Sequence, residues 1–233
     1  MKLAFIFRKT HKWIALIVGA QALIWVVSGL YMTAIHIDYI HGDHLVVAKK
    51  PEPLMEAAIK PLNQPFLGKL GVIKSIKLSR INGKNLYLIN ADEKLVRVDA
   101  ESLAILPEFD DQMIKQIALS YYAGSAQISA ISLLEQHPPE LGSRPQPVWQ
   151  VTFDDWLEST LYFNAQTGEL RSKRSNLWRW FDFLWMLHIM DYESRADINN
   201  WLLRAAASLG TLLAISGIGL LVYSFRQDRS SAV

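Results

Sequence analysis

The chain has 233 residues, of which 51% are hydrophobic and 20% charged, with a formal net charge of +2. That balance gives no reason to expect a nucleic-acid partner. There is no cysteine, which excludes disulfides, thiolate chemistry, iron–sulfur clusters and cysteine-ligated zinc.

Mean hydropathy is only +0.12, because two very apolar ends are diluted by a polar middle. Residues 1–12 form a basic tail with Lys2, Arg8, Lys9 and Lys12. Trp13 to Ile35 then runs 23 residues without a charge. A bilayer core ~30 Å thick needs about 20 apolar helical residues, so this stretch predicts a first transmembrane helix. A cleaved signal peptide is the alternative, with Ala20-Gln21-Ala22 as its small-x-small site. The apolar run continues past that site through Leu23–Val27, whereas signal cores stop after about 7–15 residues. A retained anchor follows.

Residues 36–107 read as a first small α+β unit. Pro53–Ile59 is compatible with a helix and Val72–Leu78 with a strand. Asn82-Gly83 is a hairpin dipeptide, and Leu86–Ile89 and Leu95–Ala100 are further strands. Residues 108–175 repeat that order. Asp110 and Asp111 suit a helix N-terminus running to about Tyr122. Ile128–Leu134, Val148–Phe153 and Ser159–Phe163 read as strands around a proline loop containing His137. Val96-Arg97-Val98-Asp99-Ala100-Glu101 aligns with Leu161-Tyr162-Phe163-Asn164-Ala165-Gln166, 65 residues later. In each, an apolar strand runs into Asp or Asn, which favours a turn.

Residues 176–200 predict an interfacial aromatic helix. Trp178, Phe181, Trp185, His188 and Tyr192 recur at 3- and 4-residue spacing, which places them on one helical face. Ala205–Phe225 gives 21 more uncharged residues and a second transmembrane helix within 201–225, before a tail at 226–233. A buried core helix is the alternative; the length and the following Arg226 and Arg229 favour a span. Ala206, Gly210 and Ala214, like Ala15 and Gly19, form small-residue stripes that allow close helix approach. Six Lys or Arg lie in the two terminal tails, against Lys49, Lys50 and Arg195 on the long connection. That bias puts both termini in the cytoplasm and the middle outside.

The closing segment Leu161–Leu170, Tyr162-Phe163-Asn164-Ala165-Gln166-Thr167-Gly168-Glu169 at its heart, resembles the ending of PepSY domains. Val96–Ala100 is similar, with Ser102-Leu103 where Thr-Gly is expected. Thr10-His11-Lys12-Trp13 and Val27-Ser28-Gly29-Leu30 resemble the PepSY-associated transmembrane helix, and Trp185–His188 and Ile215–Ile218 fit the same pattern. The expected fold is therefore α+β, with two transmembrane α-helices flanking an extracytoplasmic domain of two tandem PepSY-like units, each a helix on an antiparallel sheet. The resemblance implies a bacterial inner-membrane protein with a periplasmic domain. Larger relatives include four-helix siderophore reductases carrying haem b, and soluble PepSY domains in protease propeptides act as inhibitors. With two spans rather than four, a haem bundle needs a homodimer or a larger membrane reductase as partner.

Candidate cofactor-binding residues are His188, His36, His11 and Trp185. Two readings of His188 are open: a member of an aromatic belt at the headgroups, or an axial haem ligand or quinone contact. His11 and His188 fall roughly 30 Å apart on opposite membrane faces, so one iron cannot take both within a monomer. His36 and His188 share the outer side. His41, His44 and Asp43, beside Asp38, have spacing suited to Zn²⁺ or Cu²⁺ or to a polar cap on the span. No enzyme motif appears. Two functions remain: support of electron transfer at the periplasmic face, or a non-catalytic anchored module that binds or regulates a periplasmic partner protein.

Overall fold

The computed structural model describes residues 2–47, 59–81, 83–92, 94–136, 138–142 and 147–231. The chain is α+β and divides into a helical unit, residues 1–37 and 180–233, and a sheet unit, Asp38–Arg179. The predicted helix at Pro53–Ile59, save Ile59, lies outside the described residues, as do Asn82 and His137.

The helical unit contains α1 (Lys2–Ala34), most of α5 (Asn176–Ile189) and α6 (Trp201–Ser231). Lys12–Ala34 and Trp201–Ile218 are long and apolar enough to cross a membrane, with mean hydropathies of 2.0 and 1.5. Their apolar side chains point outward: Ile17, Val26, Leu212 and Ile218 are each more than 60% exposed. Such faces have no partner in water and suit lipid. Where α1 meets α6 the small residues allow a close approach. A Cβ added to Gly210 would meet Val18 Cγ1 at 3.7 Å. Gly19, Ala22, Ala207, Gly210 and Ala214 line an apolar cleft of about 540 Å³ between the two helices.

The sheet unit opens with α2 (Ile37–Ile40), whose Ile40 is fully buried, and a 3₁₀ turn at Asp43–Leu45. The short α3 (Gln64–Leu67) is capped by the Asn63 side chain. Strands β1 (Ile73–Ile81), β2 (Lys84–Ala91) and β3 (Lys94–Asp99) form an antiparallel sheet. Tyr87, Ile89, Val98 and Ala100 make its core, covered by Leu62, Phe66 and Leu67 around α3. Helix α4 (Asp111–Tyr121) follows, with the Asp110 carboxylate accepting the Met113 N–H at 2.7 Å. That carboxylate occupies the N-cap, as acidic residues at a helix start favour. Its buried Ile114, Ile117 and Ala118 pack on Trp149, Val151, Phe153, Leu161 and Phe163. These residues belong to a second antiparallel sheet of β4 (Ile128–Leu134), β5 (Val148–Phe153), β6 (Thr160–Asn164) and β7 (Leu170–Arg174).

The two sheets end their third strands in the same turn. Asp99 Oδ1 accepts the N–H groups of Glu101 and Ser102; Asn164 Oδ1 accepts those of Gln166 and Thr167. Leu103 N–H donates to Asp99 O, and Gly168 N–H to Asn164 O, both at 2.9 Å. Both closing residues are left-handed, Leu103 at φ 62° and Gly168 at φ 69°. Glycine takes that conformation freely and leucine does so at a cost.

Two sequence expectations need correction. Strand β7 was not foreseen. Helix α5 stops at Ile189 because Met190 adopts φ 55°, so Tyr192 is not part of its aromatic face.

Candidate functional site

The last turn of α5 leaves backbone carbonyls without helical partners, and in lipid such groups must find donors within the protein. Side chains from α1 and the start of α6 supply them. Gln21 Nε2 donates to Leu187 O at 3.5 Å, Trp25 Nε1 to His188 O at 2.8 Å, and Asn200 Nδ2 to Ile189 O at 2.8 Å. Asn200 also caps α6, its Oδ1 accepting the Leu203 N–H at 2.8 Å. Asp191 anchors the connection, accepting from Ser194, Ala196 and Asp197, with Ser194 first among the groups that hold its carboxyl well below the usual range. Arg195 pairs with Asp182 in this segment.

His188 sits inside this frame. Its Nδ1 lies 2.7 Å from Oγ of Ser28, a fully buried residue of α1. The Ser28 hydroxyl has one proton, and it faces Ile24 O at 2.7 Å and Trp25 O at 3.2 Å. That network assigns the remaining proton to His188 Nδ1, which donates to Ser28. That bond orients the imidazole and, in the neutral form, leaves the lone pair on Nε2. Trp185 lies parallel to the imidazole, 6° between planes and 6.4 Å between centroids. Phe181 lies parallel to Trp185 at 6.2 Å and 6°. The three rings therefore form an offset stack along one side of α5, and Trp185 is fixed by donating Nε1–H to Arg195 O at 3.1 Å.

The other candidates fall elsewhere. His36 is exposed between α1 and α2. His11 lies in α1, with its side chain outside the described residues. In the sheet unit, Asp43 pairs with Lys173, and the hydrogen bond and charge of that lysine hold its carboxyl low. The His44 ring lies 4.9 Å from that of Tyr39, and His41 is exposed. Among the described residues no three His, Asp or Glu side chains converge as a metal site.

The sequence profile of the PepSY-associated TM region matches residues 8–232. The chain belongs to that family. No curated protein and no solved structure matches it. In this PepSY-associated membrane protein, sequence reasoning singled out His188 and Trp185 as candidates but not the Ser28, Gln21 and Trp25 side chains that bond around them. The one available signal was the Ser28-Gly29 pair inside the first span.

A second polar centre lies on the face of the second sheet away from α4. Tyr162 is fully buried and donates its hydroxyl to Glu140, while Gln150 Nε2 donates to that hydroxyl at 3.0 Å. Arg179 Nε reaches Glu140 Oε2 at 3.2 Å, and Arg174 Nη2 reaches Glu140 O at 2.9 Å. Burial and then Glu140 push the Tyr162 phenol up. This network ties the 3₁₀ turn at Pro139–Leu141 and the start of α5 to the sheet.

Proposed function

We propose that this protein is an inner-membrane, PepSY-type component that supports electron transfer at the periplasmic face, with His188 as an axial ligand for haem b. The single observation that carries the reading is the Ser28–His188 pair. A metal-binding imidazole is ordinarily oriented by a hydrogen bond from its other nitrogen, and here that bond is in place at 2.7 Å. Trp185 and Phe181 supply parallel aromatic walls. His188 would hold the haem iron, with Trp185 and Phe181 beside it. A further ligand would come from His36 or from another chain, a second copy or a larger reductase. When bound, haem would supply one-electron redox chemistry; the chain's part is to orient the imidazole through Ser28. The excess of Lys and Arg beside the two termini supports placing both in the cytoplasm. The common turn at Asp99 and Asn164 supports two tandem PepSY-like units in the periplasmic domain.

An absorption spectrum of the full chain purified from haem-replete membranes tests this. A Soret band that His188→Ala abolishes is expected; a chain that stays colourless after haemin addition overturns the reading. A second reading, a module that binds a periplasmic partner protein, is favoured by a polar cavity of about 540 Å³ at the β1–β2 hairpin, lined by Lys60, Arg80, Lys84 and Glu101.

A further inference from the structure

The two sheets of the sheet unit present four edge strands, and three of them are occupied or guarded. The outer side of β3 is taken by the segment that follows it: Asp99 N–H donates to Ala104 O at 2.9 Å, and Leu106 N–H to Arg97 O at 2.8 Å. Strand β1 carries Lys74, Lys77 and Arg80, and β7 carries Arg171, Lys173 and Arg174. Charges along an edge strand deter a further strand from docking, because pairing would strip them of water.

Strand β4 is the fourth edge. It pairs with β5 on one side, and among the described residues no backbone group bonds to its other side. Its residues, Ile128-Ser129-Ala130-Ile131-Ser132-Leu133-Leu134, include no charge and no proline. The outward N–H and C=O groups of such an edge are a template for an extended chain. Its two faces also differ. Ile131 packs on the core that α4 covers, and Leu133, which shares that face, is 48% exposed. On the opposite face Ser132 Oγ lies 3.4 Å from Gln150 Oε1. A strand laid along β4 would therefore meet an apolar neighbour on one face and polar ones on the other.

The ends of β4 select the occupant. Exposed Glu135 follows it directly, and at its start exposed Asp154 donates its N–H to Gln127 O at 2.8 Å. A second copy of β4 laid alongside, in either direction, would bring these acidic ends against acidic ends. A strand with a basic residue at each end would meet opposite charge instead. We propose that β4 is a docking edge for an extended segment of a partner protein, alternating apolar and polar residues and bearing Lys or Arg at both ends. This rests neither on haem binding nor on the cavity at the β1–β2 hairpin.

The probe is a peptide of alternating valine and threonine with a lysine at each end, added to the full chain in phosphatidylcholine nanodiscs. Amide hydrogen exchange should slow within residues 128–134 and stay unchanged within 73–81. The same peptide with a glutamate at each end should bind roughly tenfold more weakly at low ionic strength. The fully N-methylated lysine peptide has no backbone N–H to donate and should not bind. Leu133→Lys and, independently, Ala130→Lys place a guard on the edge and should each abolish the protection without lowering the thermal unfolding midpoint. Unprotected amides at 128–134 overturn the proposal, as does equal binding of the glutamate or the N-methylated peptide. Protection at 128–134 that grows with protein concentration and without peptide assigns the edge to a second copy, and also overturns it.

Discussion

Ser28 and His188, 160 residues apart in sequence, meet at 2.7 Å in the helical unit. Ser28→Ala removes the acceptor for Nδ1–H and leaves the imidazole free to rotate. Loss of such a supporting bond typically weakens a metal site by about 10- to 100-fold. Titration of haemin into the Ser28→Ala protein is expected to show that loss, with the two spans still folded. Unchanged affinity would separate Ser28 from the site.

The turns at Leu103 and Gly168 give opposite expectations. A Cβ on Gly168 would meet Phe109 Cζ at 2.6 Å, in a left-handed residue. Gly168→Ala should therefore cost about 1–3 kcal/mol. Leu103→Gly relieves about 1 kcal/mol of backbone strain but gives up packing against the first sheet, so a net change near zero is expected. Denaturant midpoints of the two variants, compared at equal slope, check both.

Much of the fold was legible because its elements carry periodic apolar patterns; β4 and β5 coincide with their apolar runs. Strand β7, Leu170-Arg171-Ser172-Lys173-Arg174, has one apolar residue, so no alternation announces it. Its place comes from distant partners: Lys173 pairs with Asp43, and Arg174 lies 4.0 Å over the Trp178 ring. His188 stood out by its spacing with Trp185. Its orientation depends on Ser28, and nothing in one sequence reports a hydrogen bond across 160 positions. Glu140 was hidden in a proline loop for the same reason.

Tyr162→Phe tests the network around Glu140. The phenol is fully buried and engages Glu140 and Gln150. Its removal leaves both short of a partner, and a loss of about 1–3 kcal/mol is expected. A double-mutant cycle with Arg179→Ala should show coupling, since both residues act on the Glu140 carboxylate.

Asp155 and Tyr122 set a pH window for the sheet unit. Burial raises the Asp155 carboxyl, but hydrogen bonds from Ser159 and Tyr122 outweigh it and leave a net depression. Burial, then Asp155, raises the Tyr122 phenol. A depressed carboxylate stabilises fully above its unfolded value of ~3.9, and the effect is lost as pH falls through the folded value. A raised phenol stabilises fully below its unfolded value of ~10, and the effect is lost as pH rises through the folded value. Thermal unfolding across pH should thus show a plateau between about pH 5 and 9. Tyr122→Phe should shallow the alkaline limb, and Asp155→Asn the acid one.

Gly210 separates contact from crowding. A methyl fits beside Val18 at 3.7 Å, so Gly210→Ala should leave the α1–α6 pairing intact. Gly210→Ile should prise the helices apart, read as loss of crosslinking between cysteines placed at Ala22 and Ala207.

The Ile24–Ser28 bond bears on how the protein is made. Synthesis runs from the N-terminus, so the first span reaches the bilayer long before His188 exists. Through that interval the Ser28 hydroxyl can satisfy itself on the carbonyl one turn back, within its own helix. The nascent segment can therefore wait in lipid with its hydroxyl already satisfied, and can accept the imidazole later without giving that bond up.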